Sequence, residues 1–495
     1  MFTLIDWLVV GLYLAGTTFL GHRLRGPQSS TRDFFLGDRN VPWQAVTASS
    51  IATTISAVTF ISVPALVYAD AGNLVYLQFA IAGIISRIIV AYWLVPIYYR
   101  ELYFSPYDYT TERLGAWAGR LASLLFLVGG VLGQGVRVYA TALVLELLTG
   151  WPLSQSIVLI GIFSILWTWM GGIRTVIWTD VVQFFILIGS ALFVLFFILG
   201  QLDQGWSEMI RQAGSAGKLD LIDWSTDPRV AMTFWAALIA MPFQNVAVYG
   251  TDQLFVQRLL CCKDENAARK AVLWSTVGEI VPMIMLAVGL GLYAFYQYQP
   301  LSAELSALVA ERGDRIFPAF ILSELPVGVR GLMIAGLLSA AISSLDSILA
   351  ALAQITYKLL FSTRVKAISA VTVSRAIVLF WGLILCLMAN GLANTRLNLI
   401  DLAFTMTTYT YGSLLGVMIM SIIGMRRGYL LVPAVLVSIS LVIIVNHPTL
   451  LFGSGLDPGP LLAWPWLFPL GTISCVMFAY GGDLLGSYTN KFRSS

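Results

Sequence analysis

The chain has 495 residues, of which 58% are hydrophobic and only 11% are charged, and its formal net charge is +3. So few charges cannot cover a soluble domain of this size with polar surface, and composition predicts a polytopic membrane protein. The small net charge gives no reason to expect a nucleic-acid partner. The four cysteines and two histidines show no metal-ligand spacing, which argues against a transition-metal site and against a membrane enzyme.

Thirteen apolar segments are long enough to cross a bilayer as helices. They lie near 4–21, 43–68, 74–98, 119–148, 153–171, 176–200, 230–250, 271–296, 329–360, 371–392, 399–423, 429–446 and 463–482. One set of alternate loops and span ends carries 20 of the 29 Lys and Arg residues, the other set carries 7, and Arg87 and Arg137 lie within spans. The excess of basic residues predicts that the first set is cytoplasmic, with the N-terminus outside the cell membrane and the C-terminus inside.

The second segment, near 43–68, is unusually rich in hydroxyl side chains and also contains Pro64. Both features weaken a continuous helix, and a broken helix at membrane depth is tolerated only where it lines a cavity. In transporters, such a break offers carbonyl oxygens to a cation and a helix N-terminus to an anionic substrate. The alternative is a packing face of small hydroxyls between helices. The hydroxyl residues are Thr47, Ser49, Ser50, Thr53, Thr54, Ser56, Thr59 and Ser62.

The seventh segment contains a similar polar interruption in the stretch MPFQNVAVYGTDQ, with Pro242, Gln244, Asn245 and Gly250. The two interrupted segments are five spans apart along the chain. A five-plus-five inverted repeat predicts this spacing.

Three polar residues within or near the spans are candidates for function. Arg137 lies in the middle of a span, where an arginine is costly unless it is paired or faces water, and its planar fork suits a carboxylate. An internal ion pair with Glu146 is the alternative. Asp180, just inside the sixth segment, is either a functional carboxylate or one at the membrane interface. Gln78 is a single amide within an apolar run.

The ninth segment carries a polar face in the stretch GLMIAGLLSAAISSLDS, which begins at Gly331. On a helix, Ser339, Ser343, Asp346 and Ser347 share one face. Hard oxygen atoms without sulfur or imidazole suit a cation such as Na⁺. A tight helix–helix contact is the alternative for the serines alone, but a carboxylate at membrane depth favours a functional site.

Several of these stretches together resemble the sodium/solute symporter family, which includes sodium–glucose, proline, monocarboxylate and sialic acid transporters. The matching stretches are FFLGDRNVPW, ASSIATTISAVTFISVPA, TWMGGIRTVIWTDVVQ, DQLFVQRLLCCKDENAARKA and GLMIAGLLSAAISSLDS. The resemblance implies an all-α polytopic fold of the LeuT type, with a five-plus-five inverted repeat and an extra N-terminal helix. It divides the chain into an N-terminal helix and cytoplasmic loop, a transporter core, and C-terminal helices with a short cytoplasmic tail, at 1–42, 43–423 and 424–495.

The resemblance also implies two sodium sites, since some family members bind a second Na⁺. The first takes carbonyl oxygens of the broken helix and oxygens of the serine-rich helix, here Ala52, Ile55, Ala340, Ser343 and Ser344. The second lies between an aspartate and the same serine-rich helix, here Asp180, Ser343, Asp346 and Ser347. Asp346 stands where sialic acid transporters have a serine, which leaves open whether the second site binds Na⁺ more tightly or takes H⁺ instead.

The stretch ATTISAVTFISVPA is most similar to bacterial sialic acid transporters. The substrate residues implied by that similarity are Thr54, Ser56, Thr59, Gln78 and Arg137. Phe243, at the break in the seventh span, is a further candidate, for an apolar wall of the same pocket. We therefore expect a sodium-coupled symporter that imports a small organic carboxylate, such as sialic acid, by alternating access. A monocarboxylate, a sugar or an amino acid remains open as the substrate, and a non-transporting solute sensor is the alternative from another class. The expected partners are this solute and the lipid bilayer, and no oligomer is required.

Overall fold

The computed structural model describes residues 2–24, 30–101, 103–361, 367–393, 395, 398–425, 428–452 and 459–493. Within these ranges the chain forms α-helices with short 3₁₀ and π-helical segments, and no strand. The α-helices are α1 Leu4–Leu24, α2 Thr31–Leu36, α3 Trp43–Thr54, α4 Ala57–Tyr68, α5 Phe79–Ile89, α6 Val95–Arg100, α7 Pro106–Leu114, α8 Ala116–Thr149, α9 Leu153–Gln201, α10 Trp206–Ser215, α11 Met241–Val246, α12 Gln253–Leu259, α13 Glu265–Trp274, α14 Ile280–Tyr298, α15 Ala303–Glu311, α16 Ile316–Glu324, α17 Val329–Leu360, α18 Ala367–Gly391, α19 Leu399–Ile423, α20 Leu431–Asn446, α21 Thr449–Phe452 and α22 Trp464–Arg493.

Some of the basic residues counted for the orientation lie outside the described residues. They are Arg25, Arg364, Lys366, Arg396, Arg426 and Arg427. The orientation of the termini therefore stays a prediction.

Among the described residues, 11 helices are long and apolar enough to cross a membrane, and the bent pair of α3 and α4 makes 12. Each overlaps one of the thirteen predicted segments. The remaining segment, 230–250, forms a helix in short pieces: a π-helical turn at Ala236–Ala240, then α11, then a second π-helical turn at Ala247–Thr251. Pro242 lies in the first turn of α11, where a missing N–H is tolerated.

The second span is broken, as the sequence predicts. Helix α3 ends at Thr54, α4 begins at Ala57, and the two helices are bent by 55°. The backbone is extended at Ile55 and Ser56, with ψ angles of 117° and 170°. Pro64 lies inside α4 and does not interrupt it, so the break coincides with the hydroxyl-rich stretch.

The seventh span is broken at Asp252, two residues after Gly250. Asp252 has φ −77° and ψ 124°, and its side chain accepts a hydrogen bond from the backbone N–H of Leu254, which caps α12. Every residue of α12 is buried. The chain therefore continues past the predicted interruption as a short helix inside the protein.

Helix α17 forms the centre of the molecule. It packs against α9, α8, α18, α1 and α3, and its residues from Met333 to Thr356 are buried. Its main partner, α9, changes direction at Gly172, where φ is +59°. A Cβ atom there would lie 2.3 Å from the carbonyl oxygen of Phe34, so only glycine fits. This bend separates the predicted fifth and sixth segments and places Asp180 in the second half of α9.

Candidate functional site

A cavity of about 180 Å³ lies beside the break in the second span. Four of the six predicted substrate residues line it. They are Thr54, Ser56, Thr59 and Arg137. The opposite walls come from the seventh span, the start of α14 and α19, and include Gln244, Asn245, Tyr249, Glu279, Phe404, Thr407 and Tyr411. The cavity is therefore enclosed by both broken spans, and mixes apolar and polar side chains.

Arg137 reaches from α8 to the break of the second span. Its Nη1 donates to the backbone carbonyl of Thr53 at 2.9 Å and to Oγ of Ser344 at 3.1 Å. Among the described residues, no carboxylate oxygen lies within 4.0 Å of its nitrogens, and neither Nε nor Nη2 donates to a protein acceptor. The predicted alternative, an ion pair with Glu146, is therefore absent from this arrangement. Two donors of a fixed guanidinium remain available at the cavity.

The other two predicted substrate residues lie just outside the cavity lining. Gln78 is buried, and its amide donates to the backbone carbonyl of Met232 at 2.9 Å. Its neighbours Leu77 and Phe79 line the cavity instead. Phe243 packs in an apolar cluster beside the cavity, while the next residue, Gln244, lines it. In this arrangement neither Gln78 nor Phe243 is part of the cavity lining.

The residues of the first predicted cation site meet where α17 packs against the end of α3. Because α3 ends at Thr54, the carbonyl groups of its residues after Ile51 lack helical partners. Oγ of Ser344 donates to the carbonyls of Thr53 and Ala340, at 3.3 and 3.1 Å. Oγ of Ser343 is buried without a hydrogen-bond partner among the described residues. Adding the carbonyls of Ala52 and Ile55 gives a set of hard oxygen atoms that suits Na⁺.

The second predicted cation site contains Arg258, which is one of the 20 basic residues assigned from the sequence to the cytoplasmic loops and span ends. Arg258 of α12 and Asp180 form an ion pair at 3.2 Å with both side chains fully buried. Nε of Arg258 donates to Oγ of Ser49 at 2.9 Å, and Nη2 also donates to Ser347. Ser49 in turn donates to Asp180 at 2.5 Å. Arg258 is thus buried inside the protein, where the carboxylate of Asp180 offsets the cost of removing the guanidinium from water.

One local signal could have located Arg258. It stands in the run LFVQRLLCC, in which every residue except Gln257 and Arg258 itself is apolar, whereas a solvated loop of a transporter is polar. Asp180 is fully buried as well, so its carboxylate is exposed neither to solvent nor to lipid headgroups in this arrangement.

Asp346 joins this cluster through Ser347, whose Oγ donates to Oδ1 of Asp346 at 3.2 Å. Asp346 Oδ2, Asp180 Oδ1 and Ser343 Oγ are all buried without a hydrogen-bond partner among the described residues. Buried oxygen atoms without donors are costly, and a bound cation relieves that cost. The four predicted residues of the second site therefore form one cluster with Arg258.

Comparison with known proteins identifies the family. Residues 34–427 match the model of the sodium:solute symporter family. The chain belongs to this family. The sodium/sialic acid symporter SiaT of Proteus mirabilis is 31% identical over 352 residues, which are 70% of this chain and 69% of that protein. The mouse sodium-coupled monocarboxylate transporter 1 is 29% identical over 84% of this chain and 66% of its own length. The human sodium/iodide cotransporter is 28% identical over 84% of this chain and 65% of its own length.

Solved structures show that this symporter has the predicted fold. The substrate-bound, outward-open state of a Na⁺-coupled sialic acid symporter matches with a TM-score of 0.86 and 26% identity, over 98% of both chains. MhsT in complex with L-phenylalanine matches with a TM-score of 0.54 and 15% identity, over 89% of this chain and 98% of that one, which supports the fold alone. The predicted all-α LeuT-type fold is confirmed, and the family identifies the protein as a multi-pass membrane transporter with Na⁺ as its coupling ion.

Proposed function

We propose that this symporter imports an organic carboxylate, whose carboxyl group is held by Arg137. The observation that carries the proposal is the set of contacts that the guanidinium of Arg137 makes and lacks. Its guanidinium lines the cavity, is fixed by Thr53 and Ser344, and lies beyond 4.0 Å of every carboxylate in the described part of the chain. A buried cation at membrane depth is costly without an anion nearby. The carboxylate of a substrate supplies that anion, and its two oxygens match the planar donor geometry of the guanidinium.

A sialic acid is the first candidate for this carboxylate. The sialic acid symporter of known structure aligns over nearly the full chain, and the Proteus sialic acid symporter is among the relatives. The monocarboxylate and iodide transporters among the relatives also carry anions. An anionic substrate is therefore consistent with all of them, and a sugar without a carboxylate would leave Arg137 unpaired.

We further propose that two cations accompany each substrate, at the two sites built on α17. A tenfold Na⁺ gradient supplies about 1.4 kcal/mol per ion, and a membrane potential of ~100 mV supplies about 2.3 kcal/mol per net charge. One Na⁺ with one anion is electroneutral and supports only about tenfold accumulation. Two Na⁺ give roughly 5 kcal/mol, which supports accumulation of several thousandfold. The cell membrane, with the N-terminus outside, is the proposed location.

Uptake into proteoliposomes tests this function. Labelled N-acetylneuraminate, pyruvate, galactose and proline would be offered with an inward Na⁺ gradient and with equal Na⁺ on both sides. We expect gradient-dependent accumulation of a carboxylate and none of galactose. Uptake of galactose with no uptake of either acid would overturn the proposal. Binding of an acid without accumulation would favour a sensor.

Ser343→Ala is expected to weaken Na⁺ dependence more than Ser339→Ala, because the oxygen of Ser343 belongs to both proposed cation sites. Oγ of Ser339 is satisfied within its helix by the carbonyl of Ala335 at 2.7 Å, whereas that of Ser343 has no hydrogen-bond partner in the described part of the chain. The measurement is the Na⁺ concentration that gives half-maximal uptake. An equal rise in the two variants would contradict the assignment of Ser343.

A further inference from the structure

Glu279 is a carboxylate that lines the cavity, and it forms an ion pair with the buried residue Arg87. Nη1 of Arg87 donates to Oε1 of Glu279 at 2.6 Å, with the Arg87 side chain 1% exposed and that of Glu279 25% exposed. Nε of Arg87 donates to Ser275 at 3.1 Å and Nη2 donates to Tyr249 at 2.9 Å. Arg87 thus has all three nitrogens engaged by protein groups. It positions Glu279 and does not itself contact the cavity.

The chain leaves room for this ion pair at Gly83, one turn before Arg87 on α5. A Cβ atom at Gly83 would lie 2.6 Å from Oε1 of Glu279 and 2.9 Å from Nη1 of Arg87. Any larger residue would press on both partners. The close packing holds the carboxylate in one place at the cavity wall.

Within the described ranges, protein hydrogen bonds reach only one oxygen of Glu279. Oε1 accepts from Arg87, and Oε2 accepts no hydrogen bond from the described residues. A carboxylate can only accept hydrogen bonds, whereas the guanidinium of Arg137 can only donate them. The cavity therefore combines a donor fork for a carboxylate with a separate charged acceptor.

We propose that Glu279 determines substrate specificity by accepting a hydrogen bond from a hydroxyl or N–H group of the bound carboxylate. This inference rests on the proposed function, because Arg137 must hold the carboxyl group. An aliphatic tail would displace water from the charged Oε2 without replacing its hydrogen bond, and such a substrate is rejected strongly. The site takes hydroxylated or N–H-bearing organic acids in preference to simple aliphatic acids.

The test compares acids that differ in their donor groups. Binding of gluconate, N-acetylneuraminate and hexanoate to the purified full chain would be measured by calorimetry at saturating Na⁺. We expect at least one of the two hydroxylated acids to bind roughly tenfold or more tightly than hexanoate. Glu279→Gln should reduce that preference by roughly tenfold, since a bond to a neutral acceptor is weaker than one to a carboxylate.

Two further variants keep the result interpretable. The double variant Arg87→Met/Glu279→Met replaces both buried charges with apolar side chains, which avoids an unpaired charge, and should abolish the preference. Glu208→Gln is the matched control, because Glu208 pairs with Arg211 at 2.6 Å outside the cavity, and it should leave the preference unchanged.

The outcomes separate this inference from the proposed function. Wild-type protein that binds hexanoate as tightly as both hydroxylated acids, or Glu279 variants that weaken all acids equally, would overturn the role of Glu279 alone. Arg137→Gln that leaves every acid unaffected would overturn the carboxylate site itself. If none of the three acids binds and no carboxylate is accumulated in the uptake assay, both proposals are overturned. If none of the three binds while pyruvate is accumulated, the role of Glu279 alone is overturned, because pyruvate carries no donor group.

Discussion

Arg137→Gln is expected to weaken binding of the substrate carboxylate by roughly 10- to 150-fold, because a charge-assisted hydrogen-bonded fork contributes about 1.5–3 kcal/mol. Thr53 and Ser344 already fix the guanidinium through Nη1. Binding of a carboxylate to Nε and Nη2 therefore costs little further side-chain entropy. The measurement is competition against the labelled acid identified by uptake, at saturating Na⁺.

Three kinds of control make this result specific to the carboxyl group. Arg137→Lys keeps the charge without the planar fork, so it should recover only part of the lost affinity. Ser56→Ala and Thr59→Ala should each cost less than Arg137→Gln, because a neutral hydroxyl donates a weaker hydrogen bond. The amide of the same substrate should bind wild-type protein poorly and should be indifferent to Arg137→Gln. If acid and amide lose affinity equally, Arg137 supports the fold and not the substrate.

Arg258→Gln should lower the stability of the folded protein by about 3–5 kcal/mol, the typical cost of removing one partner of a buried ion pair. The variant would leave the carboxylate of Asp180 buried without its guanidinium partner. It would also remove the hydrogen bond from Arg258 to Ser347, the residue that donates to Asp346. The measurement is the midpoint of thermal unfolding of the purified protein in detergent.

The double variant Asp180→Asn/Arg258→Gln should regain much of this stability, because neither charge is then left unpaired. Arg229→Gln is the control for an exposed pair: Arg229 lies 2.9 Å from Asp227, is 69% exposed, and should change stability by less than about 1 kcal/mol. If the double variant is as unstable as Arg258→Gln, the shape of the arginine matters and its charge does not.

Features encoded within one stretch of chain could be predicted from the sequence. The density of hydroxyls near Thr54 and Ser56 predicted the break of the second span, and the helical spacing of Ser343, Asp346 and Ser347 predicted one polar face. Apolar runs predicted the spans, since a membrane helix satisfies its own backbone hydrogen bonds. These features depend on local composition and period alone.

Features that depend on contacts between distant segments could not be predicted in the same way. Arg258 contacts Asp180, 78 residues earlier in the chain, and Ser347, 89 residues later. Arg87 contacts Glu279 across 192 residues. Nothing in the neighbourhood of any of these residues identifies its partner, and Arg258 is counted among the loops and span ends on its charge alone. The long-range topology brings these charges together.

The polar attachment of α12 has a consequence for the reversibility of the transport cycle. This buried helix is held by Arg258, by Gln253 bonded to Gln354 at 2.8 Å, and by Gln257 bonded to the carbonyl of Phe35 at 2.8 Å. If α12 separates from these partners and water enters between them, each polar group regains its hydration. The separation then costs little net free energy. Apolar side chains at the same positions would gain nothing from water and would bias the protein toward one closed state. Polar contacts through an arginine and two glutamines let the closed and open states of this region remain close in free energy. A bound solute can then shift the equilibrium between them.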